Sequence, residues 1–186
     1  NRFLKRAWRI VWQLSDKTAG TTGELSSNAK TLMHELHRLG LRCTADFDRQ
    51  QFNTAISSIM ELVNAASKYL LDEPEGARNL KLCQRVAHDI VAMMAPIAPH
   101  WAEELYHEAL GLEGSAYDEP WPEFDEALAV SDTVELAVQI MGKVRGHILV
   151  ATNASREDME VAAKNALAEQ LAGKQIRKVI VVPGRL

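Results

Sequence analysis

Residues 51–70, QFNTAISSIMELVNAASKYL, decide the fold. Phe52, Ala55, Ile56, Ile59, Met60, Val63, Ala66 and Leu70 recur at three- and four-residue steps, the period that puts side chains on one face of an α-helix. Asp48 followed by Gln51 fits a capping box in front of this run. The same period extends in both directions. Upstream, Leu32, Leu36, Leu39, Cys43 and Phe47 form one face of a helix over 25–48, with Gly40 inside it at a cost of about 1 kcal/mol relative to Ala. Phe3, Ala7, Ile10, Val11 and Leu14 form another over 1–15. That helix opens with no visible cap and reads as continuing from an earlier segment. Downstream, the turn residues Asp72 to Gly76 precede Leu80, Cys83, Val86, Ala87, Ile90, Val91 and Met94, a periodic stretch halted by Pro96. Pro99 starts a shorter helix that Gly111 stops. Four long helices and one short one predict an antiparallel bundle over 1–112.

The pattern changes after residue 112. The stretch 113–132 is acidic, carries Gly114, Pro120 and Pro122 around Trp121, and reads as a linker. Beyond it Val134, Leu136, Val138 and Ile140 alternate with Glu135, Ala137 and Gln139, and Val144, Ile148 and Val150 follow in similar alternation, which predicts a β-hairpin. A two-residue turn at Met141-Gly142 sets Val138 opposite Arg145 and mixes the two faces. The reading is therefore a three-residue loop over 141–143 pairing Ile140 with Val144, or else a bulge at Gly146. Ser155 with Asp158 caps a helix over 155–171, Gly173 ends it, and Ile176–Val182 is a β-branched strand. The fold class is thus mainly α, a helical bundle followed by a small α+β unit of order β-β-α-β over 133–186.

Composition narrows function by exclusion. A 47% hydrophobic fraction in 186 residues supplies real cores. No run of about 18 apolar residues exists, so no membrane partner is expected, and Asn1 to Arg9 is too charged for the apolar part of a signal peptide. Cys43 and Cys83 form no CxxC pair and read as buried free thiols of a cytoplasmic protein. The net charge of −4 argues against a broad nonspecific nucleic-acid binder, so any RNA contact must be local. Residues 1–124 hold 13 Lys+Arg against 17 Asp+Glu, and 125–186 hold 8 against 8, with the basic residues of the tail clustered in its strand-like segments.

Glu104-x-x-His107 has the spacing of a di-iron motif in four-helix bundles, but it occurs once where two are needed with two further carboxylates. His34 and His37 share a face without a third ligand, the pattern of a solvated polar face. No GxSxG, Walker A or GxGxxG sequence is present, so neither catalytic residues nor a cofactor or metal are assigned. Asn153-Ala154-Ser155 fits a glycosylation sequon but is better explained as the start of a capped helix. Two basic features remain. Arg2, Arg6 and Arg9 fall on one stripe of the opening helix near Trp8 and Trp12, which suits either a solvated face or RNA. Gly142-Lys143-Val144-Arg145-Gly146 is a hairpin tip with two cations between glycines, where little bulk hinders a phosphate backbone. With Lys174, Arg177 and Lys178 it forms one basic rim, although hairpin lysines also protect sheet edges.

Longer motifs carry a resemblance. Gln51 to Ile56, Met60 to Asn64, the run Met94-Ala95-Pro96-Ile97-Ala98-Pro99-His100 and then Ala102 to Leu105 resemble the anticodon-binding-type helical bundle of class I aminoacyl-tRNA synthetases. Trp121-Pro122, the stretch Val138 to Gly146 and the ending Ile176 to Gly184 are similar to bacterial leucyl-tRNA synthetases. The likeness covers nearly the whole chain. The Pro-rich junction is shared across the class, whereas the GKVRG hairpin with the IRKVIVVPG ending is specific to the leucyl type. The zinc cysteines of the isoleucyl enzyme and the terminal coiled coil of the valyl enzyme are missing.

The resemblance implies a bundle beside the tRNA body and a small C-terminal domain at the outer corner of the L-shaped tRNA(Leu), with recognition that does not read the anticodon. It also implies a monomeric parent ligase. The HIGH and KMSKS signatures that bind ATP belong to a catalytic domain of the same polypeptide and are absent from these residues, so this part alone should not aminoacylate. Three features depart from the family pattern. Met141 stands where Asn is usual, Gly40 where an apolar residue is usual, and a further strand is expected after Leu186 that would cover the sheet edge. A protein-interaction or structural helical module is the alternative reading, motivated by the acidic balance and the exposed sheet edge.

Overall fold

The computed structural model describes residues 2–130, 133–140, 143–151, 154–167 and 179. It comprises two compact units, residues 1–130 and 131–186. In the first, α1 (Arg2–Ser15), α2 (Ser27–Asp48), α3 (Phe52–Asp72), α4 (Leu80–Met94) and α5 (Pro99–Glu108) enclose one core. Ile10, Leu14, Leu32, Leu36, Leu39, Ile59 and Ile90, which the helical period selects, are fully buried in it together with Leu62, Met93 and Leu105, whereas Phe52 and Met60, placed on the same face by spacing, are exposed because they lie at the edge of the buried stripe of α3. No helix among the described residues is long and apolar enough to cross a membrane.

Helix ends follow local chemistry. Ser26 Oγ accepts from the Ala29 amide at 3.1 Å to open α2, and Asn79 Oδ1 accepts from the Leu82 amide at 3.0 Å to open α4. Asn79 also takes its own amide to the Tyr69 hydroxyl at 2.9 Å and its Nδ2 to the Gly23 carbonyl at 3.0 Å, tying three segments together. Pro99 occupies the first turn of α5, and Gly111 at φ +66 allows the chain to leave it. The predicted capping box at Asp48 and Gln51 does not form. Asp48 lies in the last turn of α2, and Gln51, which precedes α3, makes no side-chain cap bond. The α2–α3 reversal takes three residues, so backbone groups cap it instead. The Gln51 amide donates to the Asp46 carbonyl at 2.7 Å and the Gln50 amide to the Phe47 carbonyl at 2.9 Å, with Gln50 at φ +59.

The stretch 113–130, read above as most of a linker, belongs to the first unit. It lies as a strap on the bundle and ends in a short helix, α6 (Glu126–Ala129). Ala116 is buried, and Trp121 and Phe124 pack against the core. Trp121 donates from Nε1 to Thr44 Oγ1 at 2.8 Å and meets Phe47 edge-on with centroids 5.1 Å apart. Phe124 lies over Gly40. A Cβ at Gly40 would come within 2.3 Å of the Phe124 ring, which is why this mid-helix position carries no side chain. Arg85 donates to the Glu123 carbonyl at 2.6 Å, and the Asp125 amide donates to His37 Nδ1 at 2.9 Å.

In the second unit, β1 (Thr133–Ile140) and β2 (Lys143–Ala151) pair antiparallel, followed by α7 (Arg156–Ala166). The predicted pairing of Ile140 with Val144 is replaced by Ile140 with Lys143 and Gln139 with Val144, while Val138 faces Gly146. Arg145 is the extra residue on β2. The bulge absorbs the conflict between a short connection and the alternation of faces, so that Leu136 meets Ile148 and Val134 meets Val150. Ser155 and Asp158 form the expected reciprocal capping box at the start of α7. Residues 168–171, Gly173 and the predicted strand Ile176–Val182 lie outside the described residues.

Candidate RNA-binding surfaces

The hairpin end carries the first surface. Lys143 is exposed, opposite Ile140 at the end of the ladder, and Arg145 is exposed at the bulge. A bulge breaks the strand's alternation and re-aims a side chain, so Arg145 is presented differently from the residues of a regular strand. Gly146 has a task the sequence did not reveal. A Cβ there would lie 3.2 Å from Leu167 Cδ2, so the glycine lets the end of α7 settle on the sheet beside buried Ile148 and Val150. The helix therefore braces the strand that bears both cations. Gly142, Lys174, Arg177 and Lys178 fall outside the described residues, and the expected basic rim is visible only at Lys143 and Arg145.

The second surface is α1, in the other unit. Ala7, Ile10, Val11 and Leu14 face the core, which leaves Arg2, Arg6 and Arg9 exposed on the opposite side. Lys5, which the sequence reading passed over, is exposed on the same side, and the helix contains no Asp or Glu. Trp8 is half-buried against Trp101, edge to face at 6.3 Å, and Trp101 Nε1 donates to the Leu4 carbonyl at 3.3 Å. Trp12, one turn further on, is 40% exposed.

The metal-like spacings resolve into ordinary pairs. His107 approaches Glu103, not Glu104, at 3.4 Å, and its Nδ1 lies 3.0 Å from the Leu112 carbonyl and so carries the hydrogen there. His34 stands beside Glu35 at 3.4 Å, while His37 accepts from the strap. Among the described residues no group of three or more His, Cys, Asp and Glu could hold a metal ion. Burial pushes the Cys43 and Cys83 thiols up to about 12 and about 11, so both stay protonated and unreactive.

Two histidines under the strap titrate in opposite senses. Burial, with Arg85 nearby, holds His37 below its ordinary value, which keeps its Nδ1 free to accept the Asp125 amide. The hydrogen bond to Asp89 at 3.2 Å raises His88 against its own burial, with Glu119 adding to the effect. Asp89 is 1% exposed and is also paired with Arg85 Nε at 2.6 Å. This cluster, with Thr44, Trp121 and Phe124, escaped the sequence reading. Its one visible sign was a pair of aromatic residues in an otherwise acidic, non-periodic stretch.

A family model described as the anticodon-binding domain of tRNA ligase matches residues 29–162. The chain is 36% identical over 193 aligned residues to leucine–tRNA ligase of Geotalea daltonii (strain DSM 22248 / JCM 15807 / FRC-32), covering 100% of this chain and 23% of that protein. Among solved structures it resembles Agrobacterium radiobacter K84 agnB2 LeuRS, in a ternary complex with tRNA and LeuAMS. That likeness has a TM-score of 0.61 at 25% identity and covers 99% of this chain and 24% of the other. The chain thus spans about a quarter of the length of these relatives. Since the family model takes in α2 to α5, the strap, the hairpin and the start of α7, the chain belongs to the family of anticodon-binding domains of tRNA ligases.

Proposed function

We propose that this chain is the tRNA-holding part of a leucine–tRNA ligase. It positions tRNA(Leu) for ATP-dependent aminoacylation by a catalytic domain elsewhere in a monomeric, cytoplasmic polypeptide. The observation that carries this reading is the end-to-end likeness to leucine–tRNA ligase, whose alignment runs through the bundle, the strap and the cationic hairpin alike. The exposed Lys143 and Arg145 on a hairpin braced by α7 support it, because cations on rigid elements suit the reading of RNA shape and backbone. Arg2, Arg6 and Arg9 supply a second patch for the tRNA body, and Arg177 and Lys178 are assigned to the hairpin's basic rim.

The test reverses the hairpin charges. In the Lys143→Glu/Arg145→Glu double variant, tRNA(Leu) binding should weaken by an order of magnitude or more. The slope of log affinity against log salt should also flatten by about one per lost phosphate contact. Unchanged affinity and slope would remove both residues from the RNA interface.

A further inference from the structure

Resting on the RNA-binding reading above, we propose that the outward stripe of α1 holds an unpaired nucleotide. The Trp12 indole stacks on the base, and Lys5 and Arg9 meet the flanking phosphates. The stripe has the required composition. Arg2, Lys5, Arg6 and Arg9 are all exposed, and α1 carries no acid, although the chain as a whole has a net charge of −4. This local excess of positive charge selects a polyanion.

Lys5, Arg9 and Trp12 follow one another at four- and three-residue steps and therefore line one side of the helix. From Lys5 to Trp12 the rise is about 10 Å, the span of about three nucleotides at about 3.4 Å each. Asp16, one turn beyond Trp12, is engaged by the Thr18 amide at 2.8 Å and the Thr18 hydroxyl at 2.7 Å.

A stacking site needs an open, rigid ring. Trp12 is 40% exposed on a helix that is anchored by Leu14, Val11 and Ile10 below and by the Trp8–Trp101 contact one turn earlier. Tyr117, an aromatic residue at 64% exposure, sits instead next to Asp118 and Glu119, where the charge would repel RNA. Base stacking tolerates any sequence but demands an unpaired base, so the site discriminates looped or flipped nucleotides from a continuous duplex.

The experiment titrates the 186-residue chain with a tRNA(Leu) transcript and, separately, with a blunt RNA duplex of equal phosphate count, following tryptophan fluorescence and affinity. Wild type should be quenched by the tRNA. Trp12→Ala should lose most of that quenching and bind the tRNA about tenfold more weakly with an unchanged salt slope, and its affinity for the duplex should not change. Trp12→Phe should keep most of the affinity, and Arg9→Gln should lower the slope on both probes. Equal tRNA affinity in Trp12→Ala and wild type overturns the stacking site while leaving the RNA-binding reading intact, as does an equal loss on both probes. If Trp12→Ala changes the sedimentation of the chain without RNA, the face is a protein contact and the proposal fails. Absence of wild-type binding to either probe at low salt overturns both the site and the reading beneath it.

Discussion

Gly40 shows how a single residue can contradict a rule of thumb and be right. Replacing glycine by alanine inside a helix ordinarily stabilises by about 1 kcal/mol. Here the added methyl would collide with the Phe124 ring, so Gly40→Ala should instead destabilise the first unit by about 1–3 kcal/mol, the usual range for overpacking. Phe124→Ala removes the obstacle, and the Gly40→Ala/Phe124→Ala pair should be markedly more stable than the sum of the single effects. Denaturant unfolding of the four proteins measures the coupling; additive effects would contradict the packing described. In the sequence Gly40 was a blemish in a good helix. Its partner lies 84 positions away in a stretch with no periodicity, which no local pattern connects to it.

Two neighbouring histidines make the strap's response to acid specific. His88 has a raised folded value, so its contribution is fully present below the ordinary histidine value of 6.5 and is lost as pH rises through its folded value. His37 has a lowered folded value, so its contribution is present above 6.5 and is lost as pH falls through its own. Protonation would also turn Nδ1 of His37 from acceptor to donor against the Asp125 amide. Histidine resonances followed by NMR should therefore titrate on opposite sides of 6.5. His37→Asn, whose side-chain oxygen can accept the same bond without titrating, should remove the loss of stability on the acid side. A His37 that titrates above 6.5 would contradict the assignment.

At the scale of elements, periodicity made the helices of the bundle legible and irregularity hid the rest. The apolar faces of α1 to α4 could be read from spacing because each helix buries one continuous stripe, while α5 was legible from Pro99 and Gly111 at its ends. The hairpin could be read as an element but not in its exact register, since alternation allowed either a pairing of Ile140 with Val144 or a bulge at Gly146, and the bulge falls one residue earlier. The bulge at Arg145 restores the same alternation with a different partner, Lys143. The strap was misread because Pro, Gly and acidic residues dominate it, and the anchors are isolated. Trp121→Ala, which removes a half-buried indole and its bond to Thr44, should cost about 2–3 kcal/mol in the first unit, below the range for a fully buried tryptophan. Ser155→Ala should cost about 1 kcal/mol and act on the second unit, because it removes the cap of α7. Thermal melts that separate the two units would distinguish these effects; a Trp121→Ala protein as stable as wild type would show that the strap does not depend on its anchor.

For the molecule as a whole, the fold is more legible in the sequence than the surfaces are. The order of a helical bundle followed by a small α+β unit rests on patterns that many core-facing residues repeat, so that single exceptions such as Phe52 and Met60 do not obscure it. A binding surface is different, because cations on a helix or hairpin look alike whether they meet water, a sheet edge or a phosphate. Lys143 and Arg145 are identifiable in the sequence as a cationic tip, yet the role of Gly146 as a seat for Leu167 emerges only from the packing. The proposed binding of leucine tRNA, by the hairpin cations of one unit and by the α1 stripe of the other, is tested by a salt titration of this chain with tRNA(Leu), beside an unrelated tRNA with a short variable arm. Preferential binding to tRNA(Leu), with an affinity that falls steeply as salt rises, is the expected result; equal binding of both tRNAs, or no binding at low salt, would contradict the proposed role.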